Sequence, residues 1–210
     1  MTLVKVCGVT SLEDALSAVA AGADALGFNL YPQSPRYLPA RAARAIIKAL
    51  PEGLTTIGVF VNAGPPAEVA RVAEEAGFDL VQLHGDESPD YCAEVGCERV
   101  VKALRVGPDF EADEAASFAT GAVLLDAYVK GERGGTGHTF DWGVARRVRE
   151  VVPRLYLAGG LNPSNVAGAV RSVAPFAVDV CSGVESAPGR KDASLMRLFV
   201  EAVRRAENPA

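Results

Sequence analysis

Metal-binding and disulfide patterns are scarce in this sequence. Its four cysteines are scattered, with no Cys-x-x-Cys pair, and it has only two histidines. These side chains are Cys7, Cys92, Cys97, Cys181, His84 and His138. Neither a zinc site nor the disulfide framework of a small secreted protein is indicated, and we expect no bound metal. Scattered free thiols are typical of a reducing compartment, so a cytoplasmic location is expected.

Long apolar runs and basic clusters are also missing. The chain has no apolar run of about 18 residues and no charged-then-apolar leader, so neither a membrane span nor secretion is predicted. Its net charge is -5, with acidic and basic residues interspersed. Nucleic-acid binding is therefore not expected. A negatively charged ligand would have to be held by local groups, such as glycine loops or single arginines.

The sequence does contain apolar, β-branched runs that alternate with amphipathic helical stretches. The predicted strands are 3–6, 25–30, 56–60, 80–83, 100–104, 122–126, 155–158 and 177–180. Between the first two strands, Thr10 can cap a helix that Gly22 ends, and a final helix spans 193–206. Strands built of continuous Val, Leu and Ile are typical of parallel sheets buried on both faces.

Eight strand-plus-helix units in 210 residues predict the fold. We expect a single α/β domain, a (β/α)8 TIM barrel over residues 1–206, followed by a short frayed tail at 207–210. An open, doubly wound sheet is the alternative. In a barrel the active site lies at the carboxyl ends of the strands and in the loops that follow them.

The first predicted strand carries a lysine and a cysteine on one side. Because strand residues alternate in direction, Lys5 and Cys7 share a face, and Gly8 ends the strand without a side chain at the barrel mouth. A lysine is seldom buried without a partner, so Lys5 is expected to face a carboxylate inside the barrel. Cys7 is either a functional thiol at the rim or a small buried hydrophobe.

Two aspartates end or interrupt apolar strands. Asp126 closes the run "AVLLD", where it could act as a general acid or base or could brace a loop. Asp179, on the eighth strand, is a candidate for substrate binding, or alternatively the partner of Lys5.

Two glycine-rich segments predict an anion site. "AGGLNPSN" follows the seventh strand and "CSGVE" follows the eighth. Backbone N–H groups of Gly159, Gly160, Ser182 and Gly183 could hold a phosphate, and loops seven and eight of such barrels often do so. Plain tight turns are the alternative. The segment "GGTG", 134–137, has no dinucleotide-binding spacing and is interpreted as a mobile rim of a lid.

Arg36 lies in a loop after the second strand that Pro35 and Pro39 stiffen. A fixed guanidinium can hold a carboxylate through two hydrogen bonds, although a solvated surface arginine is the alternative. His84 and His138 are minor candidates.

Seven segments, in order from the first strand to the eighth helix, together resemble the phosphoribosylanthranilate isomerase family. They are "KVCGVT", "GFNLYPQSPRYL", "GVFVN", "VQLHGDE", "GGTGHTFDW", "LAGGLNPSNV" and "DVCSGVESAPGRKD". Cys181 departs from the family, which usually has serine there.

The resemblance implies an Amadori rearrangement, the third step from chorismate towards tryptophan. N-(5-phosphoribosyl)anthranilate would become 1-(2-carboxyphenylamino)-1-deoxyribulose 5-phosphate without a cofactor. Asp126 would be the general acid, Cys7 the base, Arg36 the holder of the anthranilate carboxylate, and loops seven and eight the phosphate site. The resemblance allows both a monomer and a homodimer.

Two other functions remain open from the residues alone. One is a related phosphosugar barrel enzyme, the indole-glycerol-phosphate synthase, whose lysine-plus-glutamate chemistry would have to use Lys5 and Glu185. The other is a non-catalytic sensor of phosphorylated ligands on the same barrel, which would need neither Cys7 nor Asp126.

Overall fold

The structure is a computed structural model, and it describes residues 1–127 and 141–207. Eight parallel strands close into a barrel in chain order, with the eighth paired to the first. The strands are β1 (Leu3–Cys7), β2 (Ala25–Asn29), β3 (Thr55–Phe60), β4 (Leu80–Leu83), β5 (Val100–Val106), β6 (Ala122–Ala127), β7 (Leu155–Leu157) and β8 (Ala177–Val180). The predicted (β/α)8 fold is confirmed, and the open sheet is excluded. The predicted lid rim at 134–137 and His138 lie outside the described residues.

A helix follows each strand and packs on the outside of the barrel. These are α1 (Leu12–Ala21), α2 (Ala40–Ile47), α3 (Pro66–Ala76), α4 (Pro89–Gly96), α5 (Ala112–Ala116), α6 (Trp142–Val151), α7 (Val166–Val173) and α8 (Ala193–Glu207). No described helix is both long and apolar enough to cross a membrane.

Strand residues alternate between two separate cores. Val4, Val6 and Val178 belong to the large core between the strands and the helices. The residues that alternate with such side chains along each strand point the other way. Together they form a smaller core inside the barrel, which includes Ile57 and Leu124. This alternation is why β1 sends Lys5 and Cys7 inwards, as the sequence predicted.

The cap of α1 differs from the prediction. Ser11, not Thr10, is the N-cap residue, and its hydroxyl accepts a hydrogen bond from the backbone N–H of Asp14. Thr10 instead donates its hydroxyl to the carbonyl of Gly189 at 2.6 Å. That bond ties the loop after β1 to the loop after β8. Gly22 ends the helix in a left-handed conformation, as predicted.

The carboxyl-terminal helix is bonded to the chain just before the first two strands. Arg204 donates to the carbonyl of Thr2 at 2.6 Å and to the carboxylate of Asp24 at 2.8 Å. α8 extends to Glu207, one residue past the predicted end, and this carboxylate accepts from the N–H of Thr2. The rest of the predicted tail lies outside the described residues.

An addition to the regular barrel follows β8. A short 3-10 turn, Ser182–Val184, leads into a small antiparallel hairpin of β9 (Glu185–Ala187) and β10 (Arg190–Lys191). The hairpin returns Lys191 to Glu185, with their side chains 2.8 Å apart. It therefore brings a carboxylate and an ammonium group to the rim, which strand periodicity did not predict.

A buried ion pair fixes the loop after β4. Lys102, on the helix side of β5, contacts the Glu87 carboxylate at 2.7 Å and the carbonyl of Gly85 at 2.8 Å. The same carboxylate accepts from the backbone N–H groups of Asn62 and Gly85. All of these polar atoms are thereby paired, as burial of charge requires.

We expect Lys102→Met to lower the free energy of unfolding by about 3–5 kcal/mol, because it leaves the Glu87 carboxylate buried without its cation. Urea unfolding followed by circular dichroism measures this. Lys48→Met is the matched control, since Lys48 is exposed, and its effect should stay within about 0.5 kcal/mol. Equal stability of the two variants would show that the pair contributes nothing.

Candidate active site

A cavity of about 730 Å³ opens at the carboxyl ends of the strands. It is lined by seven of the eight residues that the sequence predicts for the site. These are Cys7, Arg36, Asp126, Gly159, Gly160, Asp179 and Ser182. Gly183 is the exception, since it does not line the cavity. Residues from five strands or the loops directly after them, β1, β2, β6, β7 and β8, therefore converge on one space, because parallel strands end on the same face of the barrel.

Lys5 and Asp179 lie at the floor of this cavity. They are register partners on β1 and β8, and Lys5 Nζ lies 3.0 Å from Asp179 Oδ2. Burial lowers the pKa of Lys5, but the charges of Asp179 and Cys7 outweigh it and raise that pKa above its ordinary value. Burial raises the pKa of Asp179 to about 7, and Lys5 opposes that rise. Lys5 is thus a cation held inside the barrel, and Asp179 is its partner.

Cys7 and Cys181 sit one step nearer the rim. They follow the register pairs Lys5–Asp179 and Val6–Val180, so the two thiols are neighbours on adjacent strands. A hydrogen bond from the Cys181 thiol lowers the pKa of Cys7 well below its usual value, and the charges of Lys5 and Lys191 act in the same direction against burial. The pKa of Cys181 is raised in return. The arrangement favours a thiolate at Cys7.

Asp126 closes β6 on the other side of the cavity. Its Oδ1 accepts a hydrogen bond from the N–H of Ala127 at 2.9 Å, and its Oδ2 lies 3.3 Å from His84 Nε2. His84 Nδ1 in turn lies 2.7 Å from the side-chain nitrogen of Gln82. One carboxylate oxygen is therefore held by a backbone N–H, the other lies near the imidazole of His84, and the group borders the cavity.

The guanidinium of Arg36 already holds a carboxylate of the chain. Its Nε and Nη2 donate to the two oxygens of Glu185 at 2.9 and 2.7 Å. Lys191 also contacts Glu185, at 2.8 Å. The Nη1 end of Arg36 is not used in this pair. Arg36 is thus a fixed rim residue rather than a freely solvated one.

The loop after β7 is shaped by two asparagines. Gly159 and Gly160 have φ angles of 85° and 63°, which glycine adopts without strain. Asn162 and Asn165 both donate side-chain N–H groups to the carbonyl of Gly160, at 3.3 and 2.9 Å. These two bonds occupy the carbonyl oxygen of Gly160 and fix the conformation of the turn.

Gly183 allows loop seven and loop eight to touch. A Cβ at this position would lie 2.0 Å from the carbonyl oxygen of Leu161, so only glycine fits. Its part in the site is the close approach of the two loops that carry Gly160 and Ser182.

Sequence reasoning missed several groups of the site. Gln82 was not singled out from the sequence. It lies on β4, two residues before His84, so the two side chains point to the same side of the chain. The pairing of Glu185 with Arg36 was also missed, because it depends on the irregular chain after β8. Among residues 1–127 and 141–207, no cluster of three or more His, Cys, Asp or Glu side chains could hold a metal.

The fold and the cavity define the class of protein: a (β/α)8-barrel enzyme with its site at the carboxyl ends of the strands. Residues 4–202 match the family model described as N-(5'phosphoribosyl)anthranilate (PRA) isomerase. The N-(5'-phosphoribosyl)anthranilate isomerase of Geobacter metallireducens is 52% identical over 200 residues, which cover 95% of this chain and 98% of that one.

Solved structures agree with this match. The phosphoribosyl anthranilate isomerase of Thermotoga maritima superposes with a TM-score of 0.90 at 41% identity, over 97% of this chain and 99% of that one. The corresponding Thermus thermophilus enzyme gives a TM-score of 0.87 at 40% identity, over 97% and 98%. The chain belongs to the phosphoribosylanthranilate isomerase family, the isomerases of tryptophan biosynthesis.

The lowered pKa predicts how Cys7 reacts with iodoacetamide. Only a thiolate is alkylated, so an ordinary thiol with a pKa of about 8.5 reacts about 25-fold faster at pH 9 than at pH 7. Because the pKa of Cys7 is lowered, a larger fraction of this thiol is ionised at pH 7, and we expect its rate to rise much less over that range than the rate of an ordinary thiol. Peptide mapping by mass spectrometry gives the rate at each cysteine.

Cys92 is the internal control for this experiment. Burial raises its pKa to about 11, so it should remain unlabelled throughout. Labelling of Cys181 before Cys7, or a rate at Cys7 that rises as for an ordinary thiol, would contradict the assignment of the thiolate.

Proposed function

We propose that this chain converts N-(5-phosphoribosyl)anthranilate into 1-(2-carboxyphenylamino)-1-deoxyribulose 5-phosphate by general acid and base catalysis. The reaction is the third step from chorismate towards tryptophan. The observation that carries the proposal is that Cys7 and Asp126 line the same cavity, with an arginine and two glycine loops at its rim.

The proposed reaction begins at the ribose ring oxygen. Asp126 donates a proton to that oxygen while the bond from C1 to the ring oxygen breaks and the anthranilate nitrogen lone pair forms a C1–N double bond. Asp126 suits this role because its Oδ1 is fixed by the N–H of Ala127 while the carboxyl borders the cavity. The product of this step is an open-chain iminium ion.

Cys7 then removes the proton from C2. The electron pair of the C2–H bond forms a C1–C2 double bond, the nitrogen takes back its pair, and the resulting enolamine tautomerises to the ketone. A thiolate can act as base near neutral pH because Cys181 and Lys5 favour it. No cofactor is required, since the substrate nitrogen itself accepts the electrons.

Arg36 is proposed to bind the anthranilate carboxylate. Glu185 engages Nε and Nη2 and thereby fixes the plane of the guanidinium. The Nη1 end takes no part in this pair and is the end proposed to bind a second carboxylate. A guanidinium held in this way loses little further entropy on binding.

Loops seven and eight are proposed to hold the phosphate. Support comes from the positive φ angles of Gly159 and Gly160, the hydroxyl of Ser182 at the cavity, and the close approach of the loops at Gly183. A solved relative, 40% identical, is a complex with reduced 1-(o-carboxyphenylamino)-1-deoxyribulose 5-phosphate, which is consistent with a phosphorylated ligand in this site.

The lysine and glutamate that the indole-glycerol-phosphate synthase alternative needs are otherwise engaged. Lys5 contacts Asp179 and Gln82, whereas Glu185 contacts Arg36 and Lys191. The two side chains therefore do not form one acid–base pair, which favours the isomerase.

Cys7→Ala and Asp126→Asn should each lower kcat by about 10²–10⁴-fold with a small change in KM, because acid and base act only in the transition state. The assay follows the loss of phosphoribosylanthranilate fluorescence. Cys97→Ala is the control, since Cys97 lies outside the cavity lining, and should keep wild-type turnover. Normal turnover in either site variant would remove that residue from the mechanism.

Arg36→Met should mainly raise KM, by about 10–100-fold, because it removes a charge-assisted bond to the substrate carboxylate. Arg44→Met on the exposed face of α2 keeps the same change of charge and should leave KM unaltered. The same fluorescence assay, run over a range of substrate concentrations, separates KM from kcat. An unaltered KM in Arg36→Met would count against the carboxylate site.

A further inference from the structure

A chain of side chains crosses the barrel along the floor of the cavity: it begins at Lys5, below the lining, and continues through Gln82, His84 and Asp126, which line the cavity. Lys5 Nζ lies 2.7 Å from Gln82 Oε1 and 3.0 Å from Asp179 Oδ2. Both Lys5 and Gln82 are 1% exposed, so water does not compete for these bonds. An ammonium group has only N–H donors, so it must face the oxygen of the Gln82 amide. The opposite orientation would place two donors against each other in a buried site.

The fixed amide determines which nitrogen of His84 carries the proton. Gln82 Nε2 lies 2.7 Å from His84 Nδ1, and an amide nitrogen can only donate. His84 Nδ1 must therefore provide a lone pair. The ring is then neutral, and its N–H lies on Nε2.

The Nε2 side of the ring faces Asp126. Nε2 is buried, lies 3.3 Å from Asp126 Oδ2, and has no aligned hydrogen bond within the described part of the chain. The other carboxylate oxygen of Asp126 accepts from the N–H of Ala127. A donor at Nε2 therefore faces the carboxylate oxygen that does not accept from Ala127, and a small movement of either side chain would align the bond.

We propose that Lys5 and Gln82 are positioning residues that hold His84 as the Nε2–H tautomer, so that the imidazole donates towards Asp126 and orients its carboxyl. The part of this inference that concerns catalysis rests on the proposed function. The tautomer itself follows from the donor and acceptor chemistry of the buried chain.

Nitrogen-15 NMR of the imidazole groups tests the tautomer without substrate. The chain has only two histidines, so His138→Asn assigns the His84 signals. We expect Nδ1 of His84 to be unprotonated and Nε2 to be protonated. A wild-type spectrum with the proton on Nδ1 would overturn the inference before any further variant is made.

Gln82→Glu reverses the constraint while keeping the size of the side chain. A carboxylate beside Lys5 offers only acceptors, so the proton of His84 should move to Nδ1. Gln82→Met keeps an unbranched side chain of similar length without a donor and should give a mixture of tautomers. Gln33→Glu, at the other glutamine of the chain, adds the same charge at the rim and should leave the His84 spectrum unchanged. An unchanged tautomer in both Gln82 variants would overturn the proposal.

Kinetics test the link to Asp126. Gln82→Glu should lower kcat roughly 10–100-fold, the range found for partners that orient a metal-bound imidazole, with KM little changed. In an Asp126→Asn background it should have little further effect, because the two residues act in one chain. An equal loss in both backgrounds would show that Gln82 does not act through Asp126. Full turnover of Asp126→Asn alone would instead show that the proposed function is wrong at Asp126, and this result is separate from the NMR test of the tautomer.

Discussion

The ion pair between Lys5 and Asp179 is the interaction on which the site depends. It joins the first strand to the last at the point where the barrel closes, and it lies within the barrel interior rather than at the surface. A buried charge pair of this kind contributes little net stability compared with a well-packed apolar pair. Its value is the orientation it imposes: Lys5 also fixes Gln82, and its charge favours the thiolate of Cys7.

The same cation therefore serves both sides of the proposed reaction. Through space it stabilises the thiolate of Cys7, the proposed base, and through Gln82 and His84 it reaches Asp126, the proposed acid. The two groups stand on strands β1 and β6, which are not neighbours in the barrel. A polar chain across the interior lets a single fixed charge act on both, whereas an apolar interior would leave each to be oriented only by its own loop.

Periodicity was sufficient to predict the barrel, because continuous apolar strands and capped helices are local features. It also predicted the inward direction of Lys5 and Cys7 and a carboxylate partner for the lysine. What it could not predict were contacts that depend on irregular chain or on closure. The hairpin β9–β10 carries Glu185 and Lys191 to Arg36, and Gln82 reaches Lys5 across the barrel. Thr10 was taken for a cap because the competing bond to Gly189 lies 179 residues away.

Cys181, where the family usually has serine, is expected to have one effect from the loop sequence alone and another from its position in the barrel. In loop eight, directly before Ser182, a cysteine in place of serine suggests the loss of a hydroxyl contact to phosphate. In the barrel, however, the side chain at 181 continues the inward register of Asp179 and meets Cys7. The backbone donors of Ser182 and Gly183 do not depend on which side chain precedes them. The exchange therefore bears mainly on Cys7, the proposed base, because a hydrogen bond from the neighbouring thiol lowers the pKa of Cys7 and so favours the thiolate that the proposed proton removal needs.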